Sequence, residues 1–357
     1  MNKVEEMFNK LFQNNVNNYI FVYTPPKVGS TTLVSSLRIS LGKNFNIIHI
    51  HDDVMLSVLT GEHEVSVNEL LNFISSNGNN VYVIDIYRTP VERKMSEFFE
   101  KISPYHFNNT EDNISNYSLT RITDRFNKLF PYLATSEHYF DKYEIECPIN
   151  FDLDKKYSIQ FINNINYIKL RLCDSTIWNK LLTEIFGCEI VLINDYVTEN
   201  KKIGNLYRRF KEEYKLPRNY FNMLTNCKHL LFYYSETERN NYLQHWQNKI
   251  CDNFNPYSFD EYKFYINLYL ENQIYNDIQV EHYIDNGCVC VLCCKKRRQI
   301  FFRAKNGETK FDKIIHNDVI NEDIKNKKDL IIDLNNKIHT LVNSKKKFSK
   351  KQFKINL

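Results

Sequence analysis

The stretch IFVYTPPKVGSTTLVSSL, residues 20–37, constrains the fold more than any other part of the chain. Residues 20–24 form an apolar, β-branched and aromatic run without alternation, the pattern of a strand buried on both faces. Pro25 and Pro26 end it, because proline cannot donate to a ladder. From about residue 31 to residue 41 apolar side chains recur at helical spacing. A buried strand, a tight loop and a helix in that order imply a parallel sheet with right-handed crossovers. They also put the loop at the carboxyl end of the sheet, where open α/β sheets bind ligands.

The same alternation continues along the chain. Residues 4–14 read as an amphipathic helix and FNIIHIH (45–51) as a second strand. SVNELLNFISSN (66–77) is a capped helix, and NVYVIDIYR (80–88) is an apolar strand that ends in charge. Pro90 then opens a helix at the position where its missing N–H costs nothing. Further strands are expected at 157–161, 167–172 and 189–193, and helices at 177–187, 205–214 and 235–249. The expected fold class is therefore α/β, a three-layer α/β/α with a central parallel sheet. After residue 257, give or take ten, the character changes to a helical stretch, GCVCVLCCKKRR, a hairpin around KNGE (305–308) and a charged helix or coil. The domain expectation is residues 1–257, followed by a small α+β appendage over residues 258–357.

Composition excludes several functions. Hydrophobic residues are 43% and charged residues 25%, as in an ordinary globular protein, and the net charge of +4 is too small for a nucleic-acid-coated surface. The lysine-rich end, residues 344–357, reads as a solvated tail, with weak attraction to a polyanion as the sharper alternative. No signal peptide or membrane-length segment is visible, so the expected location is cytoplasmic. Nine cysteines, odd in number and mostly scattered, suit a reducing compartment. The 24 tyrosines and 25 phenylalanines do not by themselves argue for stacking platforms, which need positional evidence.

The loop is suited to an oxyanion. A helix N-terminus offers unpaired N–H groups and partial positive charge. Gly29 allows close backbone approach, Ser30, Thr31 and Thr32 offer hydroxyls, and Lys27 adds a full charge. The order of residues is not that of G-x-x-x-x-G-K-[ST], because Lys27 precedes Gly29, and no metal-holding acid is evident beyond Asp85. An ATPase or kinase is disfavoured on that ground.

PPKVGSTTL resembles the 5′-phosphosulfate-binding loop of sulfotransferases that use 3′-phosphoadenylyl sulfate (PAPS). In that family an arginine at a strand end and a serine eight residues later bind the 3′-phosphate; YRTPVERKMSEFF places Arg88 and Ser96 at that spacing. The wider pattern over residues 20–250 resembles the capsular polysaccharide synthesis proteins, which are themselves sulfotransferase-like. The resemblance implies that Lys27, Val28, Gly29, Ser30, Thr31, Thr32, Arg88 and Ser96 bind PAPS. It loosely implies that Lys201 and Lys202 of NKKIG reach the 3′-phosphate, against the alternative of a solvated basic face. It implies sulfuryl transfer to a hydroxyl acceptor, a carbohydrate by family likeness, with Lys27 also stabilising the transferred group. The alternative is an inactive relative that binds a nucleotide or partner.

Transfer to a hydroxyl needs a base, and IIHIHDD points to one. His49 and His51 are two apart on the second strand, so they share a face at the loop's edge of the sheet. Imidazole suits proton transfer near neutral pH, and some uronyl-type sulfotransferases have a similar His-x-His. His51, nearer the strand end, is the first choice over His49, with Asp52 or Asp53 orienting it or acting instead.

HYIDNGCVCVLCCKKRR carries Cys288, Cys290, Cys293 and Cys294, with His282 upstream. Cys290-x-x-Cys293 is a common zinc spacing, but a second such pair is missing. The competing readings are a buried strand that uses cysteine as a small apolar residue, and a redox pair. A nucleic-acid-binding module built on these cysteines and the lysine tail of residues 258–357 is a third and poorer functional idea, since Lys295, Lys296, Arg297 and Arg298 read better as the cap of a solvated edge.

Overall fold

The computed structural model describes residues 2–12, 16–135, 137–143, 145, 151–195, 198–252, 254–271 and 283–314. In chain order the elements are helix α1 (Lys3–Leu11), strand β1 (Asn18–Tyr23), α2 (Ser30–Leu41), β2 (Asn46–Ile50), α3 (Asp53–Thr60), α4 (Val67–Ser76) and β3 (Asn80–Tyr87). Helices α5 (Pro90–Glu100), α6 (Glu111–Ile114), α7 (Leu119–Leu129) and α8 (His138–Asp141) follow. The sheet is completed by β4 (Tyr157–Ile162) and β5 (Ile165–Arg171), after which comes α9 (Trp178–Phe186). Then come α10 (Gly204–Glu213), β6 (Leu216–Pro217), α11 (Arg218–Thr225), α12 (Lys228–Tyr233), α13 (Glu236–Gln247) and β7 (Ile250–Cys251), with α14 (Phe259–Glu271) and α15 (Val291–Lys305) last.

The helix starts follow their capping residues. Ser66 and Glu69 form a reciprocal capping box on α4, and Ser235 and Glu238 do the same on α13. Asp52 caps α3 by accepting the Met55 N–H at 2.7 Å.

The sheet has the order β2-β1-β3-β5-β4. The first four strands are parallel, and β4 runs antiparallel to β5 at the edge. That reversal is local: Asn163 and Asn164 both take positive φ (50° and 63°), as a two-residue type I′ hairpin turn requires. Helices cover both faces. Tyr19, Phe21, Val81 and Val83 pack with Met7 of α1 and Leu70, Leu71 and Ile74 of α4. The intervening Ile20, Val22, Ile84 and Ile86 pack with Leu33, Val34 and Leu37 of α2 and Trp178 of α9. The protein is thus α/β, with a mostly parallel central sheet flanked by helices.

The abundant aromatics have a packing role. Phe126 alone meets Phe98, Phe130, Phe210 and Tyr214 edge-on at 5.0–5.2 Å between ring centres. These belong to a helical core built from α5, α7, α10, α12 and α13, against which Tyr262 and Tyr265 of α14 also pack. Residues on the far side of the expected boundary at 257 therefore continue the main core. A smaller cluster joins Ile39 of α2 to Val191, Ile193, Ile284, Cys293, Ile300 and Ile314.

Three expected elements are corrected. Residues 189–193 form no strand, because they run over α2 rather than beside another strand. Their amides are met by serine hydroxyls instead, Val191 N–H donating to Ser40 (3.0 Å) and Ile193 N–H to Ser36 (2.8 Å). The cysteine stretch is not a strand: Cys290 caps α15, and Cys293 and Cys294 lie in its first turn. The hairpin around residues 305–308 is the end of that helix, with Gly307 at φ 87°. His282 and the lysine-rich residues 344–357 lie outside the described residues. No helix among the described residues is long and apolar enough to cross a membrane.

Candidate anion-binding site

The loop between β1 and α2 lies where the strand order reverses, since β2 lies on one side of β1 and β3 on the other. Thr24 roots it: its hydroxyl donates to Asp85 Oδ1 (2.7 Å) and accepts the Ile86 N–H (3.0 Å). Lys27 and Gly29 both take left-handed backbone, φ 69° and 89°. A side chain at Gly29 would be strained, and its Cβ would lie 2.7 Å from Leu172 Cδ1 and 3.4 Å from the Trp178 ring.

Two arginines hold the loop carbonyls. Arg88 Nη1 donates to the Lys27 carbonyl (2.8 Å), and Arg93 Nε donates to the Pro26 carbonyl (3.3 Å). Because C=O and the following N–H of one planar peptide point in opposite directions, the Val28 amide is turned away from Arg88. Among the described residues the N–H groups of Val28, Gly29, Ser30 and Thr31 donate to no protein acceptor. The hydroxyls of Ser30 and Thr31 are likewise unbonded within the described residues. Thr32 is committed elsewhere, exchanging hydrogen bonds with the Asp195 backbone (3.0 and 3.3 Å), while Ser35 donates to the Asp195 carboxylate (2.6 Å).

Helix α5 supplies the rest of the wall. Arg93, Ser96 and Glu100 fall at i, i+3 and i+7, on one face. Arg93 touches Pro26 and Glu100 pairs with the Lys27 ammonium, so Ser96, buried between them, lies on the loop-facing side. Burial pushes the Glu100 carboxyl up, but Lys27, helped by Lys201, outweighs it and leaves the group below the ordinary carboxylate range. Lys201 is therefore within electrostatic reach of the loop. Lys202 is not part of this group, because it is exposed and pairs with Asp112 at 2.8 Å. Arg88 also reaches the Tyr207 hydroxyl of α10, at 3.5 Å.

His49 and His51 meet edge-on with ring centres 4.3 Å apart. His49 is buried and its Nδ1 engages the Tyr283 hydroxyl. His51 Nδ1 lies 2.6 Å from the Thr24 carbonyl. A carbonyl only accepts, so this bond requires the Nδ1–H tautomer and leaves the Nε2 lone pair as the acceptor. Burial lowers the His51 pKa to about 4; Lys27 and His138 push the same way, the Thr24 bond and Asp52 oppose them, and the ring is neutral at pH 7. The two acids after His51 do not orient it: Asp52 caps α3, and the Asp53 carboxylate accepts the Val67 N–H at 2.8 Å.

Sequence reasoning missed the groups beneath the loop. Lys169 of β5 is fully buried and bonds Asp85 Oδ2 (2.6 Å) and Glu137. Asp85 also accepts the Tyr139 N–H (3.0 Å), and His138 donates to the His51 carbonyl. Two ionisable residues inside apolar strand runs were the available signal, since a buried charge requires a partner. Which partner depends on β3 and β5 being neighbours. In the C-terminal region the thiols of Cys288, Cys290 and Cys293 converge, all within 4.8 Å of one another. Cys294 diverges, its thiol donating to the Val289 carbonyl at 3.3 Å.

No family profile, curated protein or solved structure matches the chain.

Proposed function

We propose that this protein is a PAPS-dependent sulfotransferase of P-loop-like architecture that moves a sulfuryl group to a hydroxyl, with a carbohydrate as the acceptor class. The observation that carries the proposal is the set of four amides, Val28 to Thr31, unpartnered among the described residues at the N-terminus of α2 and flanked by Lys27 and Arg88. Such a nest favours a tetrahedral oxyanion. The lysine precedes the glycine, as in the phosphosulfate loop and unlike a triphosphate loop.

In this reading the loop amides and Lys27 hold the 5′-phosphosulfate, while Arg88 and Ser96 take the 3′-phosphate. Lys201 adds long-range charge. His51 Nε2 accepts the acceptor's hydroxyl proton, the freed oxygen bonds to sulfur, and the sulfur–oxygen bond to the 5′-phosphate breaks. Lys27 and the preorganised amides stabilise the phosphate that leaves. A neutral His51 is in the correct protonation state, and the donor's negative charge raises its basicity on binding.

The test is thermal stabilisation by 3′-phosphoadenosine 5′-phosphate. It is expected in the wild type and lost in Lys27→Ala and in Arg88→Ala, and a protein that ignores this nucleotide but responds to ATP with magnesium refutes the reading. One observation favours an inactive binder instead: Glu100 already occupies the Lys27 ammonium. Labelled-sulfate transfer to a carbohydrate pool, abolished by His51→Ala, separates the two.

A further inference from the structure

The region between residues 283 and 314 has a small core of its own. Ile284, Cys293, Ile300 and Ile314 form a small cluster with Ile39, Val191 and Ile193, to which Phe301, Ala304 and Phe311 add only partly buried side chains. So few apolar side chains stabilise a segment of this size poorly, and small units of this kind are usually fastened by a disulfide or a metal. No disulfide is present among the described cysteines.

We infer that Cys288, Cys290 and Cys293 bind a zinc ion that fastens this segment to helix α2. Three thiols that converge within 4.8 Å suit a soft-ligand ion. In a tetrahedral site with bonds of ~2.3 Å the sulfurs stand roughly 3.8 Å apart, so closure asks for about an ångström of movement. The loop brings Cys288 and Cys290 to the start of α15, where the Cys293 N–H donates to Cys290 Sγ at 3.4 Å. Such a bond supports a thiolate ligand as outer hydrogen bonds do elsewhere. On binding, each thiol gives its proton to solvent, and the fourth position is left to a ligand other than these three.

The surrounding charge balances the centre. Zn²⁺ with three thiolates carries one net negative charge. Arg297, buried, donates to the Cys288 carbonyl and to Asp285 (3.0 Å), and Arg38 donates to the Asp285 carbonyl at 3.0 Å. Two guanidinium groups against one carboxylate leave one positive charge beside the thiols.

The fastened segment ends on the candidate site. Tyr283 meets His49, and the Ile284 N–H donates to the Asp195 carboxylate (2.7 Å) that also holds Ser35. The ion is thus a positioning element for α2 and His49, and its presence is independent of whether the loop binds PAPS.

The test is metal content of the full chain purified under reducing conditions without chelator. About one zinc per chain is expected, retained in Cys294→Ser and lost in Cys288→Ser and Cys293→Ser. Should those variants fail to fold, wild type stripped by a chelator and reloaded with Co²⁺ provides the thiolate-to-metal absorption and a return of Tm. Three outcomes overturn the inference: wild type without metal that takes up none, zinc retained when all three cysteines are serine, or a Cys290–Cys293 disulfide that accounts for the thiols.

Discussion

Lowering the pH from 7.5 to 5.5 should destabilise this protein through histidines that are buried or, for His51, half-buried. Burial lowers His51 to about 4, His138 to about 4 and His106 to about 3. In the unfolded chain an imidazole titrates near 6.5, so between these values the unfolded state binds protons that the folded state refuses. Stability is therefore fully present above about pH 6.5 and falls as the pH drops towards the folded pKa values. At pH 5.5 each imidazole costs about 1.4 kcal/mol, and the three together about 4 kcal/mol, a large share of a typical 5–15 kcal/mol. His229, lowered by burial as well, adds in the same direction. The shifted glutamates, among them Glu100 and Glu238, lie below their ordinary range and so titrate beneath this window. The assay is urea unfolding at both pH values, followed by fluorescence of the buried Trp178 and Trp246. A loss below about 1 kcal/mol, or imidazole resonances that titrate near 6.5, would refute the reasoning.

Two substitutions probe the ground beneath the loop. Gly29→Ala should cost about 1–2 kcal/mol from its left-handed backbone, with a further clash against Leu172. Adding Leu172→Ala should relieve only the clash, and denaturation midpoints of the single and double variants read this out. Lys169→Met should cost about 3–5 kcal/mol by leaving Asp85 and Glu137 facing each other without their cation. Neutralising one acid as well, with Glu137→Gln, should recover part of it; a Lys169→Met midpoint equal to wild type would show that the pair contributes nothing.

The strand–loop–helix at residues 20–37 was legible because apolar runs, prolines and caps act within a few residues. The same holds for α4, whose Ser66–Glu69 box lies within one turn. The antiparallel edge was also written locally, in Asn163 and Asn164, although it was not read there. Residues 189–193 show the limit. Their β-branched pattern specifies extended backbone, but a strand also needs a neighbour, and α2 occupies that place. Cys290–Cys294 misled for a related reason, since a short apolar run has no period that separates strand from buried helix.

The sequence alone determined which groups are available at the carboxyl edge: Lys27, Gly29, the hydroxyls after it, Arg88 and two histidines. Tertiary structure decided which of them remain available. Arg88 and Arg93 took the loop carbonyls, Asp195 took Thr32, Asp112 took Lys202, and the Thr24 carbonyl selected the His51 tautomer. These partners come from separate parts of the chain, most of them in loops or at element ends. Strand order and crossovers bring them together, and pairing between distant segments leaves no periodic trace in the sequence around either member.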